Sequence, residues 1–323
     1  MLSALTTLPL SAAAISSASF DLPLAVGPAM TMMGGVSQED GMGWVAVALA
    51  PEGEALDDAI VARLAGRLKA DSVRRLGPDA AEMAVASPGV EPGEAGIDWA
   101  VLPARDRRKH LLIADMDSTM IVGETLDELA VEAGIGERVA AITARAMNGE
   151  LDFEAAVRER VGLLAGLPLA AAERVLARLR PTPGARTVVA TMRASGAHCM
   201  LVSGGFTLFA EPVGARLGFD EVQANRLEVQ DGRLTGRVLE PILGRDAKRR
   251  ALEDRRTTLG LAPGETLAVG DGANDLAMLA AAGLGVAFRA RPAVAAQARI
   301  RVDRAGLGAL LYLQGFARAE FVT

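Results

Sequence analysis

The sequence has a single cysteine, Cys199, no lysine or arginine before Arg63, and no apolar stretch long enough to cross a bilayer. One cysteine excludes an intramolecular disulfide and any multi-cysteine metal site, which suits a reducing compartment. Without basic residues the first 40 positions lack the charged start of a secretory signal, and Ser, Pro and Asp21 interrupt their apolar runs. The expectation is a cytoplasmic protein with no membrane partner and an irregular extension over 1–40, in which Met30, Met32 and Met33 are candidate starts of translation. A positive excess is missing as well: the formal net charge is −6. Phosphate backbones are held by clustered Lys and Arg, so no nucleic acid is expected as a partner. Apolar residues, at 50% of a 323-residue chain, suffice for at least one substantial core.

From Trp44 the pattern becomes regular. An apolar run over 45–49, helical periodicity over 55–68 and a second apolar run over 81–86 predict strand, helix, strand, a small α/β domain over 41–90. Prolines and glycines punctuate 87–96, which predicts a linker over 91–108 and a larger domain over 109–323. In the larger domain the runs 110–114, 198–202 and 266–269 read as buried strands. Each ends abruptly in a polar turn: Asp115-Met116-Asp117, Ser203-Gly204-Gly205 and Gly270-Asp271-Gly272. Between the first two lies a helical insertion, about 121–181, broken by Gly134, Gly149, Gly166 and Pro168. Asp231-Gly232 between two alternating runs predicts a hairpin over 227–238, and 246–259 reads as a basic helix. The fold class is therefore α/β, with ligands expected at the carboxyl ends of a parallel sheet.

The residue types at those strand ends suit phosphoryl transfer. A carboxylate at Asp115 can attack phosphorus and divide hydrolysis into two easier steps. Asp115 and Asp117 lie two apart, and a turn from Met116 would bring both toward one ligand. A protonated Asp117 can donate to the leaving oxygen and later accept a proton from water. An anionic nucleophile approaching an anionic phosphate needs cations and oriented donors around it. Asp271 can help hold Mg²⁺, a hard ion that takes oxygen ligands. Ser203 and the amide of Gly204 can donate to phosphate oxygens. Lys248, in the basic helix, is spaced to neutralise charge on the phosphoryl group.

Together, Asp115 to Thr119, Ser203 to Phe206, Lys248 and Gly270 to Asp275 resemble the four ordered motifs of the haloacid dehalogenase superfamily. The likeness runs from about Leu111 to the C-terminus. Its details are similar to the branch that hydrolyses O-phospho-L-serine to serine and phosphate as the last step of serine biosynthesis. The resemblance implies a Rossmann-like parallel sheet with a helical cap, Asp115 as nucleophile, and Asp117 as acid/base. It implies Mg²⁺ held by Asp115, Asp117 through its backbone carbonyl, and Asp271. It assigns Ser203, Gly204, Lys248 and Asn274 to the phosphate, and Asp275 to support of the metal site or the lysine. Glu124 and Arg160 match the cap positions that read the substrate's ammonium and carboxylate, a pairing that suits a zwitterion. Phe153 and Met147 are candidate apolar walls. Related enzymes often carry an N-terminal α/β domain akin to regulatory modules, and 44–87 suits a reduced version. No ligand motif is visible there, so packing or homodimer formation is the expected role. Phosphothreonine, phosphohomoserine or transfer to a second alcohol remain open as alternatives. A phospho-accepting receiver module is disfavoured, because here the paired aspartates lie on the first core strand and a large insertion follows.

Overall fold

The computed structural model describes residues 43–89, 93–147, 150–244 and 246–323. The extension over 1–40 and the candidate starts at Met30 to Met33 lie outside the described residues. The chain first forms β1 (Trp44–Leu49), α1 (Asp58–Leu68), β2 (Ser72–Gly77), β3 (Ala80–Val85) and β4 (Asp98–Pro103). These strands pair antiparallel in the order β2-β3-β1-β4. Asp57 starts α1 by accepting the amide of Ala59 at 2.6 Å, the usual N-cap bond. β1 is buried on both faces, which explains why it reads as a continuous apolar run. Ala46 and Ala48 pack with Leu64 and Leu68 of α1, while Val45, Val47 and Leu49 join the main core.

Two strands of this sheet differ from expectation. β4 occupies part of 91–108, the stretch expected to be a linker, and its buried Ala100 and Leu102 complete the face turned to the core. The prolines and glycines before it mark the loop between β3 and β4. β2 carries Val73, Arg74 and Arg75 on an exposed edge and has little apolar alternation to betray it.

The larger sheet comprises β5 (Leu111–Ala114), β6 (His198–Phe206), β7 (Glu221–Gln230), β8 (Arg233–Leu239), β9 (Thr266–Gly270), β10 (Leu284–Phe288) and β11 (Ile300–Val302). Its order is β11-β10-β9-β5-β6-β7-β8, parallel except for the β7–β8 hairpin. Asp231 and Gly232 both take positive φ, the two-residue turn that the Asp-Gly pair predicts. Between β5 and β6 lie α2 (Thr125–Glu132), α3 (Gly136–Met147), α4 (Phe153–Gly162) and α5 (Leu169–Arg178). Ile121 bridges to Pro181 and the amide of Val122 donates to Arg180 O at 2.9 Å, closing the neck of this insertion.

The remaining helices are α6 (Ala185–Ala194), α7 (Thr207–Leu217), α8 (Ala247–Thr258), α9 (Leu276–Ala281), α10 (Pro292–Ala295) and α11 (Ala309–Leu313). Residues of α6, α7 and α11 cover one face of the sheet with Leu112, Leu201 and Val269, and α8 and α9 cover the other with Ile113, Val202 and Ala268. Helices on both faces of a parallel sheet make the fold a doubly wound α/β arrangement. The consequence for function lies in the strand order. β9, β5 and β6 are direct neighbours, with Ala114 level with Val269 on one side and Leu201 on the other. Three polar turns that are far apart in the sequence therefore meet at one edge.

Candidate active site

Asp115 leaves the end of β5, its amide still donating to Val269 O at 3.0 Å. The chain then makes one wide turn over Met116–Met120, closed by the amide of Ile121 on Met116 O at 3.0 Å. Ser118 sits inside it at φ +56, a left-handed conformation that costs a non-glycine residue about 1 kcal/mol. The turn carries Asp117 off the strand end, where its carboxylate meets Ser203 while that of Asp115 meets Lys248. The Asp115 carboxylate accepts its neighbour's amide, Met116 N, at 2.7 Å and the Lys248 ammonium at 2.6 Å. Asp117 accepts the amide of Thr125 at 2.7 Å through Oδ1, while its Oδ2 accepts Ser203 Oγ at 3.4 Å.

Lys248 enters from the first turn of α8 and is fully enclosed. Its Nζ also lies 2.6 Å from Asp275 Oδ1, while Asp275 Oδ2 takes the amides of Asp271 at 3.1 Å and Gly272 at 2.9 Å. A Cβ at Gly270 would lie 2.3 Å from Asp275 Cγ, so only glycine lets the aspartate fold back beneath its own loop. Asp271 Oδ1 accepts the Thr119 hydroxyl at 3.2 Å.

The site holds more negative than positive charge, and the acids feel it. Burial pushes Asp117 up to about 7, with Glu124 adding to the rise and the bond from Thr125 opposing it. Burial and then Asp275 raise Asp271 to about 6. Asp115 is driven well above its ordinary range by burial and by Asp275, against the pull of Lys248. Burial works against the charge on Lys248, but Asp115 and Asp275 outweigh it and hold the ammonium above its usual range.

Carboxylate oxygens of Asp115, Asp271 and Asp275 lie within 4.8 Å of one another, a grouping that could hold a metal ion. The surplus of buried carboxylates, with the pKa values of Asp115 and Asp271 raised, fits a hard dication. The carboxylate of Asp117 is outside this group, committed to Thr125 and Ser203. Asp275 is inside it, although both its oxygens already serve Lys248 and two amides.

Around the turn at Ser203 to Gly205, Phe153, Ser203, Gly204, Leu243, Lys248 and Asn274 are among the residues lining a cavity of about 10 Å³. That is room for roughly one water. A larger cleft, about 490 Å³, lies along the seam between the small sheet and α6 and α11. It gathers no comparable set of reactive groups, and the chemistry of the β5 edge locates the site better than volume does. Glu124 is half-buried and accepts the Ser118 hydroxyl at 2.8 Å, so its side chain faces the wide turn and does not cap α2. Arg160 is half-buried on α4, its Nε donating to Ala156 O at 3.2 Å. Burial lowers its pKa, with Asp127 and Glu124 opposing the fall. The side chain of Met147 lies outside the described part. The Ser118–Glu124 bond, the Thr119–Asp271 bond and the buried Asn225 behind Gly204 were not foreseen from the sequence. Of these, only Asn225 left a signal, an uncharged polar residue beside the alternating run of the hairpin.

Fold, strand-end aspartates and buried lysine together define a haloacid dehalogenase-like hydrolase, and the chain belongs to that family, whose model matches residues 112–280. Among curated relatives, a phosphoserine phosphatase of Streptomyces coelicolor is 46% identical over 232 residues, covering 71% of this chain and 57% of the relative. Two further relatives are spanned over 52% and 58% of their lengths, so the chain extends over little more than half of such proteins. A HAD-family hydrolase from Salmonella enterica serovar Typhi superposes with a TM-score of 0.76 at 30% identity, covering 84% of this chain and 98% of that one. A phosphoserine phosphatase solved as a phospho-aspartyl intermediate analogue superposes with a TM-score of 0.59 at 41% identity, covering 64% and 98%. Among the described residues no helix is long and apolar enough to cross a membrane.

Proposed function

We propose that this chain is a Mg²⁺-dependent phosphatase that hydrolyses O-phospho-L-serine through an aspartyl-phosphate on Asp115. The observation that carries the reading is the junction of Lys248 with Asp115 and Asp275 at 2.6 Å each, beside Ser203 and Asp117 at the tips of neighbouring strands. In the first step an Asp115 oxygen bonds to phosphorus as the ester P–O bond breaks. Asp117, near pH 7 poised between its two forms, gives its proton to the departing serine oxygen. In the second step the Asp117 carboxylate takes a proton from water as that water attacks phosphorus, releasing Asp115 and phosphate. Lys248, Ser203 and the Gly204 amide hold charge on the transferring oxygens.

Asp115 and Asp271 are the carboxylates most available to Mg²⁺, with the Asp117 backbone carbonyl as a further oxygen and Asp275 bracing Lys248 and the Asp271 loop. A bound Mg²⁺ would relieve repulsion between the anionic nucleophile and the anionic phosphate. The choice of substrate rests on Glu124 for the ammonium and Arg160 for the carboxylate, with Phe153 beside Gly204 as an apolar wall. Relatives named phosphoserine phosphatase support the same choice.

The test is phosphate release from a panel of phosphoserine, phosphothreonine, phosphohomoserine and sugar phosphates, with Mg²⁺ or with EDTA. Phosphoserine should be hydrolysed fastest, and EDTA should stop the reaction. Equal turnover of sugar phosphates would remove the substrate assignment, and undiminished turnover in EDTA would remove the metal.

A further inference from the structure

The turn at Ser203 to Gly205 is a bulge, and one side chain holds it in shape. β6 and β7 are in register at Val202 and Gln223 and again at Phe206 and Asn225, so Ser203, Gly204 and Gly205 together oppose only Ala224. A bulge costs the ladder its hydrogen bonds, and buried peptide groups must find other partners. Asn225, only 1% exposed, supplies one. Its Nδ2 donates to Gly204 O at 2.9 Å and its Oδ1 accepts the Leu243 amide at 2.7 Å. One neighbour is a carbonyl and the other an N–H, so a single orientation of the amide satisfies both.

The carbonyl of Gly204 and the N–H of Gly205 belong to one peptide plane. That N–H donates to Ser203 Oγ at 2.9 Å, and Ser203 Oγ in turn donates to Asp117 Oδ2 at 3.4 Å. With a lone pair occupied by Gly205, the Ser203 hydroxyl turns its proton toward Asp117. A Cβ at Gly205 would come within 3.0 Å of Asp117 Oδ2 and 3.1 Å of Ser203 Oγ, so the plane lies close against both groups. On its other side, Leu243 and Gly244 lead into α8, where the Ala247 amide donates to Gly244 O at 3.0 Å and Lys248 follows.

We infer that Asn225 is a positioning residue for the proposed phosphoryl transfer. It clamps the Gly204–Gly205 peptide and the approach to α8 at once. It thereby fixes the Ser203 hydroxyl relative to Asp117, and Ser203 relative to Lys248 across the small cavity that both of these line. The inference rests on the phosphatase reading for its kinetic consequence, but the clamp itself is observable without substrate.

Two variants separate the bonds. Asn225→Asp keeps an acceptor for Leu243 and sets an oxygen against Gly204 O; Asn225→Leu removes both bonds and guards against the case in which the added charge disrupts folding. Both should lower kcat on phosphoserine by about 10²-fold, the cost of a misplaced reacting group. KM should stay within about threefold of wild type, because Glu124 and Arg160 are untouched. In the unliganded proteins the Gly205 amide should exchange with solvent faster in both variants, while Leu243 loses protection only in Asn225→Leu. Unchanged Gly205 exchange, kcat within about twofold of wild type, or a rise confined to KM would each overturn the proposal. If wild type fails to hydrolyse phosphoserine, that reading falls, and Gly205 exchange alone still decides the clamp.

Discussion

Lys248 is the residue on which the charge balance of the site turns. It is the one buried cation among the described residues that touches Asp115 and Asp275, and both contacts are short. Removing one partner from a buried ionic group leaves the others uncompensated, at a cost of about 3–5 kcal/mol. Lys248→Met should therefore lose stability of that order in EDTA, measured by urea unfolding, and recover part of it when Mg²⁺ is added. An equal loss with and without Mg²⁺ would mean that no metal shares the carboxylates' charge. The convergence of Asp115, Ser203, Lys248 and Asp271 was legible from sequence because Asp115, Ser203 and Asp271 each follow an apolar run, and because the order of all four resembles that of a family's motifs. Asn225 was not legible in the same way. Its task exists only because β6 bulges opposite Ala224, and register is invisible in a single strand's pattern.

At the scale of elements, the helical insertion is tied to the core on one side by main-chain bonds. Gly166 N donates to Leu234 O at 2.8 Å, Leu234 N to Leu167 O at 2.9 Å and Leu169 N to Gly232 O at 3.0 Å, so the loop between α4 and α5 is held against β8. Gly236 makes the close approach possible. It has φ +85, and a Cβ there would meet Ala165 Cβ at 2.9 Å. Gly236→Ala combines overpacking with an unfavourable backbone, and should destabilise the protein by roughly 1–3 kcal/mol in urea titrations. Unaltered stability would mean that the α4–α5 loop yields without cost. The helices of the insertion were readable from their period, but this tether was not, because it joins segments some 70 residues apart and depends on glycines whose geometry the sequence does not display. β4 was hidden for a related reason: Pro and Gly before it mark a turn as readily as a domain boundary, and only pairing with β1 distinguishes the two.

At the scale of the whole molecule, the small sheet is fastened to the larger one through a few polar groups over a shared apolar core. Asp98 accepts the amides of Arg304 and Ala305 at 2.7 and 2.8 Å. Glu82 on β3 binds Arg74 at 2.7 Å and Arg107 at 2.6 Å, and Arg107 reaches on to the carbonyls of Leu313 and Tyr312, each at 3.0 Å. Burial opposes the charge on Glu82, but the two guanidinium groups outweigh it and hold its pKa below the ordinary value. Its contribution is then complete above the unfolded-state value of about 4.3 and drains away as pH falls through the lower folded-state value. Glu82→Gln should cost about 3 kcal/mol at pH 7, and the gap to wild type should narrow below pH 4.5. A gap that persists at low pH would assign the loss to packing. All of this scaffolding serves the edge where β9, β5 and β6 end, and the account stands on what Asp115 does there. The most direct measurement is acid quenching of the protein during turnover of phosphoserine with Mg²⁺, followed by peptide mass spectrometry. The account predicts one added phosphoryl group on the peptide containing Asp115, absent from Asp115→Asn, which should also release no phosphate. Sustained hydrolysis by Asp115→Asn, or a phosphoryl group found on another residue, would contradict it.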